Sequence, residues 1–156
     1  MRSKDYDARI KKALQQIKFI ERYKGLSEKY NVKNHTDEEL LLYFDGYEVL
    51  DMLRNKGYKP GFNRKERFFY IKKEERENLT YSALFTLHGG GIGMQWRIYE
   101  GKKLVFEESC GWISKSFLGE EYVITQPVFC DYEELEDILK SCFELYEDFK
   151  KAMAES

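Results

Sequence analysis

Cysteine, proline and histidine are scarce in this chain, at three, two and two among 156 residues. Cys110, Cys130 and Cys142 are odd in number and widely spaced, with no Cys-x-x-Cys and no histidine at ligand spacing, so neither a disulfide framework nor a metal site is expected. No stretch approaches the ~20 consecutive apolar residues that span a bilayer. The opening residues MRSKDYDARIKK lack the apolar core of a secretion signal. These absences together predict a cytoplasmic, reduced protein that needs no cofactor and touches no membrane. Internal repeats, linkers and low-complexity segments are also missing, which predicts one domain over residues 1–156.

What is present is ample core material. Apolar residues make up 42% and aromatics 16%, including 12 Tyr and 11 Phe. A domain of this length can bury about 70% of the surface its unfolded chain exposes.

Ile10, Leu14, Ile17, Ile20 (or Phe19) and Tyr23 recur every three or four positions, predicting an amphipathic helix from Lys4 to Lys24 that Gly25 interrupts. Thr36 and Glu39 have the spacing of a capping box, which predicts a second helix from Asp37 to about Lys56 with Leu40, Phe44, Tyr47, Leu50 and Leu53 on its buried stripe. Gly57 then stops the helix and Lys59-Pro60-Gly61 turns the chain. Beyond Asn63 the apolar period shortens to two. Strands are expected at 67–72, 79–87, 94–98, 104–108, 112–118 and 122–125, too closely spaced for helical crossovers. Asp131, with Glu134 three residues on, caps a final helix. The expected fold is therefore α+β: two N-terminal helices, an antiparallel five- or six-stranded meander, and a C-terminal helix packed on one face.

The glycine-rich run His88–Gly93 resembles a phosphate loop only superficially. A strand follows it, and Gly93-Met94-Gln95 stands where a P-loop has Gly-Lys-Ser/Thr. It reads as a hairpin end, with Leu87 opposite Met94, Phe85 opposite Trp96 and a six-residue loop between. The other sheet face then carries Thr86, Gln95 and Arg97 near His88, with Glu107 beside them. An enzyme reading assigns His88 as acid or base, Arg97 as anion clamp and Glu107 as orienting group on an anionic substrate, and pairs Cys110 with His88 as a nucleophile. Ordinary cross-strand polar pairs account for the same residues without catalysis, and no catalytic residue is assigned. His35, in a polar loop before the cap, reads as solvated.

Charge is the stronger functional signal. Residues 54–73 carry Arg54, Lys56, Lys59, Arg64, Lys65, Arg67, Lys72 and Lys73 against Glu66 alone. Interleaved with Tyr58, Phe62, Phe68, Phe69 and Tyr70, they fit a nucleic-acid-binding surface. Residues 119–149 have the opposite sign: Glu120, Glu121, Asp131, Glu133, Glu134, Glu136, Asp137, Glu144, Glu147 and Asp148 against Lys140. With Tyr122 and Tyr132 as anchors, this band fits a basic protein partner. The leading expectation is thus a non-catalytic protein-binding module, an inhibitor or immunity-type protein that covers a basic, nucleic-acid-handling toxin or enzyme.

Overall fold

The computed structural model describes residues 4–36 and 38–155. The fold is α+β, with helices α1 (Lys4–Gln16), α2 (Phe19–Lys29), α3 (Gly46–Asn55), α4 (Cys110–Phe117) and α5 (Tyr132–Ala154). Strands β1 (Pro60–Asn63), β2 (Phe68–Ile71), β3 (Glu74–Arg76), β4 (Leu79–His88), β5 (Gly91–Glu100) and β6 (Lys103–Ser109) form one antiparallel sheet. The order across it is β1-β2-β4-β5-β6, with β3 paired to β4 off that path.

One sheet face is apolar because Leu79, Tyr81, Ala83 and Phe85 alternate along β4, and Met94, Trp96 and Ile98 along β5. Helix α5 covers this face, stacking Phe149 on Trp96 and setting Phe143 edge-on to Phe85. Helix α2 completes the cover with Phe19 against the edge of Trp96. The stripe that α5 buries is wide, since Ile138 and Leu139 are both interior, as are Leu145 and Tyr146.

Several expected elements differ. The helix foreseen over 4–24 is broken at Lys18, which takes a left-handed conformation (φ 56°), while Gly25 lies inside α2. The break is supported by Arg22, whose guanidinium donates to the Ile17 carbonyl (3.1 Å). No helix runs from the Thr36 region to Gly46: Glu39 accepts from the Thr36 amide and hydroxyl, but the following residues form turns and irregular backbone. Asp37, where that helix was to begin, lies outside the described residues. Helix α3 starts instead behind Asp45, whose side chain accepts from the Tyr47 amide (2.9 Å). Its buried residues are Val49, Met52 and Leu53, so Tyr47 moves from the core stripe to solvent.

Of residues 112–118, expected as a strand, 112–117 belong to α4 and Leu118 ends it. Their alternation is weak, and Cys110, Ile113, Ser114 and Phe117 bury one side of a helix. Residues 122–125 pair with no strand, their backbone tying instead to Gly111 through the Ile124 amide (2.8 Å). Strand β1 overlaps the turn expected at Lys59-Pro60-Gly61, and β3 lies where no strand is expected.

The β4–β5 register slips by two residues from the expected one, to Leu87 opposite Ile92, Phe85 opposite Met94 and Ala83 opposite Trp96. A shift of two preserves the faces. The connection shrinks to Gly89-Gly90, both at positive φ (60° and 79°), as a tight two-residue hairpin turn requires. Gly90 also lies against Leu40, where a β-carbon would sit 2.7 Å from the leucine Cβ. Its carbonyl accepts from the Phe129 amide (2.8 Å). The glycines thus let the hairpin tip hold two loops, 38–45 and 126–130, at one end of the molecule.

Candidate functional site

The acidic band does not form one surface. Asp148 pairs with Arg22 (2.9 Å) and Asp137 with Lys29 (3.2 Å), and Asp137 also accepts from the Tyr30 hydroxyl. Hydrogen bonding from Tyr30, then the Lys29 charge, holds the Asp137 carboxyl below its ordinary range despite some desolvation. Glu147 is bound by Lys150 (3.0 Å) and accepts from the Tyr58 hydroxyl (2.6 Å). Asp131 and Glu134 serve the helix start, accepting from the amides of Glu134 and Cys130 (2.8 Å each). Glu120 borders the α1–α2 junction beside Lys18, Lys24 lies over the Tyr122 ring (5.7 Å), and Glu121 between them is exposed. Glu133, Glu136 and Glu144 remain exposed along α5 with Lys140 between them.

The basic stretch is also dispersed. Arg54 pairs with Asp51 (3.0 Å), Arg64, Lys65 and Arg67 sit at the β1–β2 turn, and Lys73 lies over Tyr99 (4.6 Å). Phe69 faces the core, and Tyr58 packs on Phe143.

Of the enzyme set, Arg97 meets Glu107 (2.7 Å) and Gln95 (3.1 Å). His88 does not join them. Arg97 sits opposite Ser82, six residues along β4 from His88, or roughly 20 Å at strand rise. Cys110 is fully buried, and desolvation pushes its thiol well above the ordinary value, the reverse of an activated nucleophile.

A different surface emerges where the hairpin tip gathers its loops. From Thr36 to Leu53 the sequence holds Asp37, Glu38, Glu39, Asp45, Glu48 and Asp51 and no lysine or arginine. Within it Tyr43 is 90% and Tyr47 72% exposed, and Leu42 is exposed beside them. Next to them Phe44, Leu50, Phe62 and Phe69 line an apolar recess of about 440 Å³, with Arg64 at its rim. The start of α5 adjoins this surface: the Leu41 amide donates to the Phe129 carbonyl (3.0 Å) and the Asp45 amide to the Tyr132 hydroxyl (2.7 Å). Asp131, Tyr132, Glu133 and Glu136 therefore extend it, while Glu144, Glu147 and Asp148 lie farther down α5. No family model matches this chain, and neither curated proteins nor solved structures give a match.

Sequence reasoning passed over this surface by continuing a helix through it, which turned Tyr47 inward. The usable signal was the one-sign charge of residues 36–53 combined with a cluster of tyrosines. The same end of the molecule brings together His35, Glu39 and Cys130. His35 is not solvated as expected, its side chain being only 17% exposed. No helix among the described residues is long and apolar enough to cross a membrane.

Proposed function

We propose that this chain is a non-catalytic protein-binding module that docks a basic protein partner on the acidic, tyrosine-bearing end formed by residues 38–51 and the start of α5. The supporting observation is the exposure of Tyr43 and Tyr47 inside a segment whose charged residues are all carboxylates. Large aromatic side chains held in water lose apolar hydration when a partner covers them, and such anchors dominate interface energetics. Carboxylates around them raise the encounter rate with a positively charged protein and exclude an acidic one. The recess bounded by Phe44, Leu50, Phe62 and Phe69 supplies a pocket for an apolar anchor from the partner. A nucleic-acid-handling protein has the matching basic surface, and covering it gives the inhibitor or immunity-type role.

The test is affinity capture from the cells that make the protein, comparing the wild type with Tyr43→Ala/Tyr47→Ala and with Glu48→Lys/Glu133→Lys/Glu136→Lys. The expected result is a basic protein retained by the wild type, lost with the tyrosine pair, and retained weakly and with reduced salt dependence by the charge-reversed variant. Equal retention by all three, or retention of nucleic acid in place of a protein, contradicts the reading.

A further inference from the structure

We infer that His35, Glu39 and Cys130 form a zinc site, with His35 Nδ1, Glu39 Oε2 and Cys130 Sγ as three ligands and the fourth position open to water. This inference does not rest on the docking reading above. The three donor atoms lie within 4.8 Å of one another. His35 Nδ1 is 3.2 Å from Cys130 Sγ and 3.7 Å from Glu39 Oε2. Tetrahedral zinc with ordinary bond lengths separates such donors by about 3.4–3.6 Å, and both separations from the histidine nitrogen lie within a few tenths of an ångström of that range.

The ligands are held from outside the cluster. The Val32–Asn34 turn, capped by the Asn31 side chain on the Lys33 amide (2.8 Å), delivers His35. Thr36 donates its amide and hydroxyl to Glu39 Oε1 (3.0 Å each), leaving Oε2 to face the histidine. On the other side, Glu134 Oε1 accepts from the Cys130 amide (2.8 Å), and the Leu41–Phe129 hydrogen bond fixes the two segments together. Outer partners that orient ligands in this way are a regular part of metal sites.

Two other uses of the cluster fit less well. In a Cys-His-Glu catalytic arrangement the imidazole bridges thiol and carboxylate through different nitrogens, whereas here Nδ1 is the nitrogen nearest to Cys130 and also lies 3.7 Å from Glu39 Oε2. As a free thiolate, Cys130 would place its charge beside the carboxylates of Glu39 and Glu134, and a divalent cation removes that conflict. Cys130 gives up its proton to solvent as the sulfur–metal bond forms, and the cation offsets the surrounding carboxylates. Thiolate and imidazole favour zinc over calcium or magnesium, which take oxygen ligands. Bound metal would staple the segment carrying Tyr43 to the start of α5.

The experiment adds cobalt(II), then zinc(II), to the reduced full-length protein. Expected are one cobalt per chain with a sulfur-to-cobalt charge-transfer band, displacement by zinc, loss of the band in Cys130→Ser, and more than about tenfold weaker binding in His35→Gln. Independently of any variant, zinc should protect the one thiol that an alkylating reagent reaches in the native protein, since Cys110 and Cys142 are buried. A wild type without the charge-transfer band, a band unchanged in Cys130→Ser, or a reachable thiol that zinc leaves unprotected overturns the inference.

Discussion

Lys150 sits on α5 with its side chain only 1% exposed, its ammonium 2.9 Å from Glu74, 3.0 Å from Glu147 and 4.3 Å above the centre of the Tyr146 ring. A buried charge is tolerated only while its partners remain ionised. Glu74→Gln with Glu147→Gln should therefore cost about 3–5 kcal/mol in urea unfolding, whereas Lys150→Met, which leaves carboxylates that water and Arg76 can reach, should cost less than about 2 kcal/mol. Equal losses contradict the assignment. Burial alone would raise the Glu74 carboxyl, but the hydrogen bonds and charges of Lys150 and Arg76 outweigh it and leave the group below its ordinary value. Its contribution is consequently complete above about pH 4.3 and disappears as pH falls through the lower folded-state value. The urea midpoint of Glu74→Gln should fall less steeply on acidification than that of the wild type. At the hairpin tip, Gly90→Ala meets both a positive φ and Leu40 and should cost more than about 2 kcal/mol, while Gly89→Asn, in open space and in a conformation asparagine accepts, should be close to neutral.

Elements were legible where one periodicity ran without interruption. The alternation in β4 and β5 identifies the buried face, and it survives a two-residue error in register because side-chain direction repeats every two residues. The cap at Asp131 and the apolar stripe of α5 are equally readable. Illegible elements were those decided by distant contacts. The break at Lys18 involves neither glycine nor proline, and β1 follows a Lys-Pro-Gly sequence that reads as a turn until β2 pairs with it. Helix α4 contains serine and glycine and depends on packing such as Phe117 against Phe106. The Thr36–Glu39 spacing is a true local hydrogen-bonding motif detached from any helix, which is why the start expected at Asp37 falls nine residues before Gly46, where α3 begins. If Lys18 is strained as its left-handed backbone implies, Lys18→Gly should stabilise the chain by about 1 kcal/mol, read from the urea midpoint. A glycine variant that is destabilised would mean that the side chain supports the break.

For the molecule as a whole, charge separates into two kinds. Acids along the middle and end of α5 are largely taken up by Arg22, Lys29, Arg76 and Lys150, so they hold helices and sheet together. Those around Tyr43 and Tyr47 surround exposed rings, and among the described residues only Asp51 of this group has an arginine partner. The candidate site was therefore half visible in the sequence: Asp131, Tyr132, Glu133 and Glu136 belong to it, while its aromatic centre lies in a segment assigned to a helix. The most direct measurement is the affinity of the captured partner for wild type and for Tyr43→Ala/Tyr47→Ala, each with a matching unfolding curve. The account predicts at least roughly a thirtyfold loss with unchanged stability; equal affinities would contradict it.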